Sequence, residues 1–165
     1  MKIVEYEDKY LENVKDLLVE LEEYLVEIDQ DNLDRVHQEY RNKMAKLDLE
    51  EVNKNSGKCY LAIQDSKVIG LIMGIVRKYD EFDYLDYKCP KTGVITELIV
   101  TKQTRNNGTG KILIESMEKY FKSIECEYVL VDVFAYNMSG VNFYNNRGYH
   151  NRMHTMIKNI EGKVE

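Results

Sequence analysis

The stretch VTKQTRNNGTGKILIESM, residues 100–117, reads as the end of an apolar strand, a polar turn with two glycines, and a helix. A glycine-rich turn that feeds a helix is a place to hold phosphates. Two familiar phosphate loops fail here. The G-x-x-x-x-G-K-[ST] loop is met at Gly110 and Lys111 but broken at Arg105 and Ile112. The G-x-G-x-x-G fingerprint is met at Gly108 and Gly110 but broken at Leu113. What remains is Arg105-Asn-Asn-Gly108-Thr-Gly110 between strand and helix. Glycines there let backbone N–H groups approach a ligand without a Cβ in the way. The helix start adds unpaired amides and a positive dipole end, and Arg105 and Lys111 add formal charge. Such a turn suits a pyrophosphate; the plainer alternative is a glycine turn with no ligand.

Working outward, KIVEY opens as a short strand. A helix from Tyr10 follows the period of Val14, Leu17, Leu18, Leu21 and Leu25, with Asp8 as its cap. A second helix is expected over about 33–47, with Val36, Tyr40, Met44 and Leu47 on one face. CYLAIQD and VIGLIMGIVR read as two strands joined by a tight turn at DSK. Gly70 and Gly74 inside the second mark a bulge or a close backbone approach. A polar and aromatic loop, KYDEFDYLDYKCPKTG, leads to a buried strand, VITELIV. GKILIESMEKYFKSI is a helix with Leu113, Met117, Tyr120 and Phe121 inward. YVLVDVFAY is a further strand, SGVNFYNN a short helix, and YHNRMHTMIKNI a final strand. Strands that alternate with helices after an initial hairpin imply an α/β (α+β) fold with a mixed sheet and at least one parallel pair. One domain over residues 1–165 is expected, large enough for a single core.

The 44% apolar and 32% charged residues are those of a soluble globular chain. No run of 18 apolar residues offers a membrane span, and MKIVEYEDKY is too charged for the apolar part of a signal peptide. Cys59, Cys89 and Cys126 are far apart, which suits a reduced, cytoplasmic setting and argues against a zinc site, so no metal is expected. Residues 1–57 carry 16 acidic and 8 basic side chains, whereas residues 58–165 carry 13 and 15. An acidic half does not suit nucleic acid, whose phosphates need a basic face. It suits either the steering of a cationic substrate or an ordinary solvated helical surface.

The R-x-x-G-x-G turn five residues after Val100 resembles the acyl-CoA loop of the GNAT superfamily of N-acetyltransferases. The rest of that pattern follows in order: the helix, the strand, Asn137, and FYNNRGY with Tyr144, Gly148 and Tyr149. The resemblance spans about residues 58–158. Two features depart from the commonest form: Asn106-Asn107 where a basic residue is common, and Tyr149 where phenylalanine is usual. The resemblance implies a mostly antiparallel mixed sheet with a central, splayed parallel pair and about four flanking helices. It also implies acetyl transfer from acetyl-CoA to a primary amine, by direct attack in a ternary complex.

That chemistry needs a neutral amine, a stabilised oxyanion and a proton for the departing thiolate. The resemblance gives the last role to Tyr144, since a phenol of pKa about 10 can protonate a thiolate of about 8.5 when held against it. It implies that Leu98, Ile99 and Val100 present backbone groups to the acetyl carbonyl and the pantetheine, each such donor contributing about 3 kcal/mol in comparable sites. Arg105, Asn106, Asn107, Gly108, Thr109, Gly110 and Lys111 would hold the pyrophosphate. Asn137 would touch the pantetheine arm, cap the Tyr144 helix, or both. For the general base the resemblance offers Glu97, Asp132 or a water; a carboxylate in an apolar strand is costly unless it is paired, solvated or used, and a hydrogen-bonded structural carboxylate is the plainer alternative for either residue.

The resemblance places the acceptor pocket between the first two helices and the loop before the Glu97 strand. In that loop Asp80, Glu81 and Asp83 are interleaved with Tyr84 and other aromatic residues, a mixture that suits an ammonium group. A polyamine, an aminoglycoside-like amine or a peptide amine all fit. An ordinary solvated loop and a homodimer contact are the alternatives for the same residues. The rival from another class is a non-catalytic acetyl-CoA-binding sensor or interaction module.

Overall fold

The computed structural model describes residues 1–160. Their backbone packs into two compact units, Met1–Asp132 and a second that starts at Val133.

The first unit is built on a five-stranded sheet in the order β1-β2-β3-β4-β5. The strands are β1 (Lys2–Glu5), β2 (Lys58–Gln64), β3 (Lys67–Val76), β4 (Thr92–Val100) and β5 (Tyr128–Val131). The first four are antiparallel neighbours, and β5 runs parallel to β4. The mixed, mostly antiparallel sheet is as expected. The tight turn between β2 and β3 is Asp65-Ser66, both in the left-handed region (φ 49° and 64°), which is the twist that a two-residue hairpin requires.

Helix α1 (Leu11–Ile28) and helix α2 (Tyr40–Lys54) carry one apolar layer. Val14, Leu17 and Leu18 from α1 and Ala45 and Val52 from α2 bury against Cys59, Leu61, Leu71, Met73 and Ile99 of the sheet. Helix α4 (Thr109–Ser123) brings the wholly buried Leu113, Ile114, Met117 and Phe121 to β1–β4. Phe121 lies against strand backbone because Gly74 and Gly93 carry no side chain: a Cβ would come within 2.8 Å and 2.5 Å of its ring. Gly70 also sits close, where a Cβ would meet the Ile99 carbonyl at 2.7 Å. The β3–β4 register shifts between Met73 and Gly74, so both readings of these glycines, bulge and close approach, hold.

Several boundaries differ from expectation. The segment Asp8–Tyr10 forms a 3-10 turn, and Asp8 makes no cap to α1. The second helix begins at Tyr40 rather than near 33. Asp29 accepts from the backbone N–H of Asp31, Leu33 and Asp34, which holds that stretch in a turn and keeps it from continuing the helix. Leu33, Val36 and Leu47 are accordingly exposed, and the buried stripe of α2 runs through Ala45 and Val52. The loop after β3 contains a single helical turn, α3 (Asp83–Asp86). The strand expected over 128–136 stops at Val131.

In the second unit, helix α5 (Met138–Asn145) forms as expected. The final strand expected over 149–160 does not: residues 149–159 have no regular structure and 150–160 are exposed. Neither set of alternating residues there is consistently apolar, so no face exists to bury. Among the described residues no helix is long and apolar enough to cross a membrane.

Candidate active site

The turn between β4 and α4 is built by its backbone. Asn106 and Gly108 both take left-handed conformations, with φ 64° and 79°. Gly108 caps α4, and its carbonyl accepts the first helical bond from Ile112 N–H at 3.2 Å. The amides of Thr109, Gly110 and Lys111 fall in the first turn, where no helical acceptor exists for them. An αL residue followed by a helix start is an anion-binding concavity. Thr109 is buried and fixes the helix start through its hydroxyl, which donates to Met1 Sδ at 3.4 Å. The cations expected to face the phosphates are otherwise engaged. Arg105 Nε donates to the Val100 carbonyl at 3.0 Å, and its guanidinium lies 5.0 Å from the Tyr24 ring centroid. Lys111 pairs along the helix with Glu115 at 3.8 Å. The residues present fit a pyrophosphate through their amides, with Arg105 shaping the turn.

β4 runs past its parallel neighbour. Its pairing with β5 covers Thr92–Ile95 only, and Thr96–Val100 continue beyond it. Thr101 N–H donates to the Ile69 carbonyl across β3. By antiparallel alternation Ile99 and Glu97 turn their backbone groups to β3, and Leu98 and Val100 turn theirs to the splayed edge. The Val100 carbonyl is taken by Arg105, whereas the Leu98 amide faces the gap. Of the three residues expected to present backbone groups, Leu98 and Val100 stand on the splayed edge, and Ile99 bonds within the sheet and buries its side chain in the core.

Glu97 shares its face with Ile99, two residues on, and so points toward the layer of α1 and α2. It stands opposite Met73, just beyond the bulged Thr96. Burial, then the charges of Asp48 and Glu22, push its carboxyl up to about 8. Tyr40, hydrogen-bonded to Glu22, is also raised, first by burial and then by Glu22 and Glu97. Asp48 is raised to about 6 by burial. The other base candidate, Asp132, is exposed just after β5 ends. Asp48 and Glu22 carry no mark in the sequence, and Tyr40 reads there only as a member of the apolar face of the second helix. The signal is an aspartate at i+3 from Ala45 and i−4 from Val52, which a helix expected over about 33–47 leaves just beyond its end. Among the described residues no group of three His, Cys, Asp or Glu side chains is disposed to hold a metal ion.

The loop before β4 is organised by its own carboxylates. Asp80 Oδ1 accepts from the N–H groups of Phe82 and Asp83, at 2.8 Å and 2.9 Å. Asp83 bridges Arg77 at 3.1 Å and accepts from Asp80 N–H. Tyr79 donates to the Pro90 carbonyl and meets Thr92 Oγ1 at 2.9 Å. Of the expected acceptor-binding residues, Asp80 and Asp83 hold the loop together, and Glu81 and Tyr84 are exposed.

In the second unit Asn137 Oδ1 accepts from Gly140 N–H and Ser139 Oγ, both at 2.9 Å, and thereby caps α5. Tyr144 is nearly buried, with its ring edge-on to Phe143 and Tyr149 at 5.2 Å and 5.4 Å. Gly148, with φ 85°, turns the chain so that Tyr149 N–H reaches the Tyr144 carbonyl at 3.2 Å.

Comparison with known proteins bears on the fold and the family. An uncharacterized N-acetyltransferase of Methanocaldococcus jannaschii is 31% identical over 94 residues, which are 56% of this chain and 53% of that protein. The match thus spans about half the length of that relative. A crystal structure of a mutant BH1408 protein from Bacillus halodurans superposes with a TM-score of 0.85 at 19% identity, covering 97% of this chain and 99% of that one. The structure of AAC(6')-Iy with a bisubstrate analogue of CoA and acetylneamine superposes with a TM-score of 0.67 at 13% identity, covering 96% of each chain. At such identities the two superpositions establish the fold. Residues 16–149 match the profile of the acetyltransferase (GNAT) family, and the chain belongs to that family.

Proposed function

We propose that this protein transfers the acetyl group of acetyl-CoA to a primary amine by direct attack in a ternary complex. The observation that carries this reading is the end of β4. One strand end has an anion-binding turn, a backbone amide on a splayed edge and a poorly solvated carboxylate, at Gly108–Lys111, Leu98 and Glu97 respectively.

The amides of Thr109, Gly110 and Lys111 would hold the pyrophosphate, with Asn106, Asn107 and Gly108 shaping the approach. The Leu98 N–H would donate to the oxyanion that develops on the acetyl carbonyl. Glu97, as carboxylate, would accept a proton from the arriving ammonium and free the nitrogen lone pair. Tyr144 would give its phenolic proton to the departing sulfur, as its place in Y-x-x-x-G suggests. Asn137 would act by capping α5 and so fixing that tyrosine. Asp132, which is exposed, is the weaker candidate for base. Glu81 and Tyr84 would meet the acceptor at the loop surface, backed by Asp80 and Asp83.

The test is thiol release from acetyl-CoA across polyamines, aminoglycosides, and lysine and N-terminal peptides, with Tyr144→Phe in parallel. Acceptor-dependent release that falls at least tenfold in the variant, while CoA affinity is retained, is the expected result. CoA binding without release for any amine would instead favour an acetyl-CoA sensor.

A further inference from the structure

Asp48 occupies a place where an apolar residue would be the ordinary choice. Ala45 and Val52 of α2 are buried, and Asp48 lies between them on the same helical face. The sheet beneath presents two cross-strand rows, Leu61–Leu71–Ile99 and Cys59–Met73–Glu97. Every member but Glu97 belongs to the core that α1 and α2 cover. The α2 face that carries Ala45 and Val52, and with them Asp48, packs in one cluster with Cys59 and Met73, the members of the second row that lead to Glu97. Its Oδ2 is enclosed and has no hydrogen-bond partner. Packing does not require such a group, and an enclosed oxygen without a donor is unfavourable.

We propose that Asp48 is a positioning residue for Glu97, whose fixed negative charge on the α2 face makes the Glu97 carboxylate a stronger acceptor for the proton of the attacking ammonium. This rests on Glu97 being the base, as proposed above. The nitrogen–hydrogen bond of the ammonium breaks, the proton passes to a Glu97 Oε, and the nitrogen keeps the electron pair with which it attacks the acetyl carbon. Asp48 takes no proton in this step. Among the described residues, the titratable groups of α1 and α2 whose charge is felt at Glu97 or that feel its charge are Glu22, Tyr40 and Asp48. Tyr40 hydrogen-bonds to Glu22 and spreads its charge, whereas the enclosed Asp48 oxygen has no such partner. Two carboxylates in one poorly solvated layer do not ionise independently, and the one that titrates second holds its proton to higher pH.

The experiment is an NMR titration of protein labelled with 13C at the glutamate carboxyls, with the Glu97 signal assigned from Glu97→Gln. In the parent Glu97 should titrate well above the ordinary carboxylate range. In the isosteric Asp48→Asn its midpoint should fall by about one pH unit, with the glutamates far from the layer unmoved. An unmoved midpoint in Asp48→Asn, even with a lower melting temperature, overturns the proposal and leaves Asp48 a structural residue. A Glu97 signal in the ordinary range in the parent overturns it without any variant. Turnover of Glu97→Gln separates the two ideas. A variant as active as the parent removes the base assignment, whereas an inactive one with an unmoved midpoint in Asp48→Asn removes only the role of Asp48.

Discussion

β4 ends between two regions that handle charge in opposite ways. On the side of α4, the proposed recognition is a backbone matter: left-handed residues and a helix start leave N–H groups without helical acceptors, and Arg105 braces the turn. On the side of α1 and α2, the groups proposed to act are carboxyls, and what matters is how poorly they are solvated. A diphosphate is charged at all working pH values, so a rigid set of amides suffices to hold it. A proton acceptor must match an ammonium, and burial beside like charges is how a carboxylate reaches that range.

The contrast is broken most directly at Glu97. Glu97→Gln should lower kcat about 10²- to 10⁴-fold at its optimum with CoA affinity unchanged, as steady-state kinetics beside calorimetry would show. Equal losses of turnover and CoA binding would mean that the two regions are not separable.

The next largest effect concerns pH. Glu97 holds its proton more tightly when folded than when unfolded, so this group favours folding at low pH. That contribution is complete below the unfolded value of about 4.5, declines as pH rises, and is gone above the folded value of about 8. Glu97→Gln should therefore raise stability relative to the parent near pH 9, by on the order of 2 kcal/mol, and much less near pH 5. Urea unfolding at the two pH values measures it. The same group predicts that parent turnover rises with pH through about 8.

Gly108→Val should strike the other region. A β-branched residue at φ 79° costs about 1–2 kcal/mol or more and tilts the amides of the turn, so both melting temperature and CoA affinity should drop. The acid limb of any remaining turnover should stay where it was. Arg105→Gln is expected to be milder. It removes the bond to the Val100 carbonyl and the stacking on Tyr24, about 1–2 kcal/mol together. CoA binding should keep nearly the same salt dependence, because the guanidinium is engaged within the protein. A salt slope reduced by a full charge would show that Arg105 meets the phosphates.

Much of this was legible along the chain. The strand–turn–helix of residues 92–123 follows from a run of apolar residues, a pair of glycines and a 3.6-residue period, all local signals. The acidic helices were harder to read. Their stripe is interrupted by Asp48, and Asp29 stops helix formation through hydrogen bonds to residues up to five positions ahead. Asp80 and Asp83 read as ligand-binding groups, yet the structure occupies their oxygens with the loop itself.

The amino-acid sequence by itself determined the glycine turn after β4, the succession of strand, helix, strand and short helix that surrounds it, and the family, because each rests on residues adjacent in the chain. Only the tertiary structure decided which carboxylates influence one another. Glu22, Asp48 and Glu97 come from α1, α2 and β4, and their proton affinities depend on solvent exclusion and like-charge repulsion, which exist only once those elements pack together.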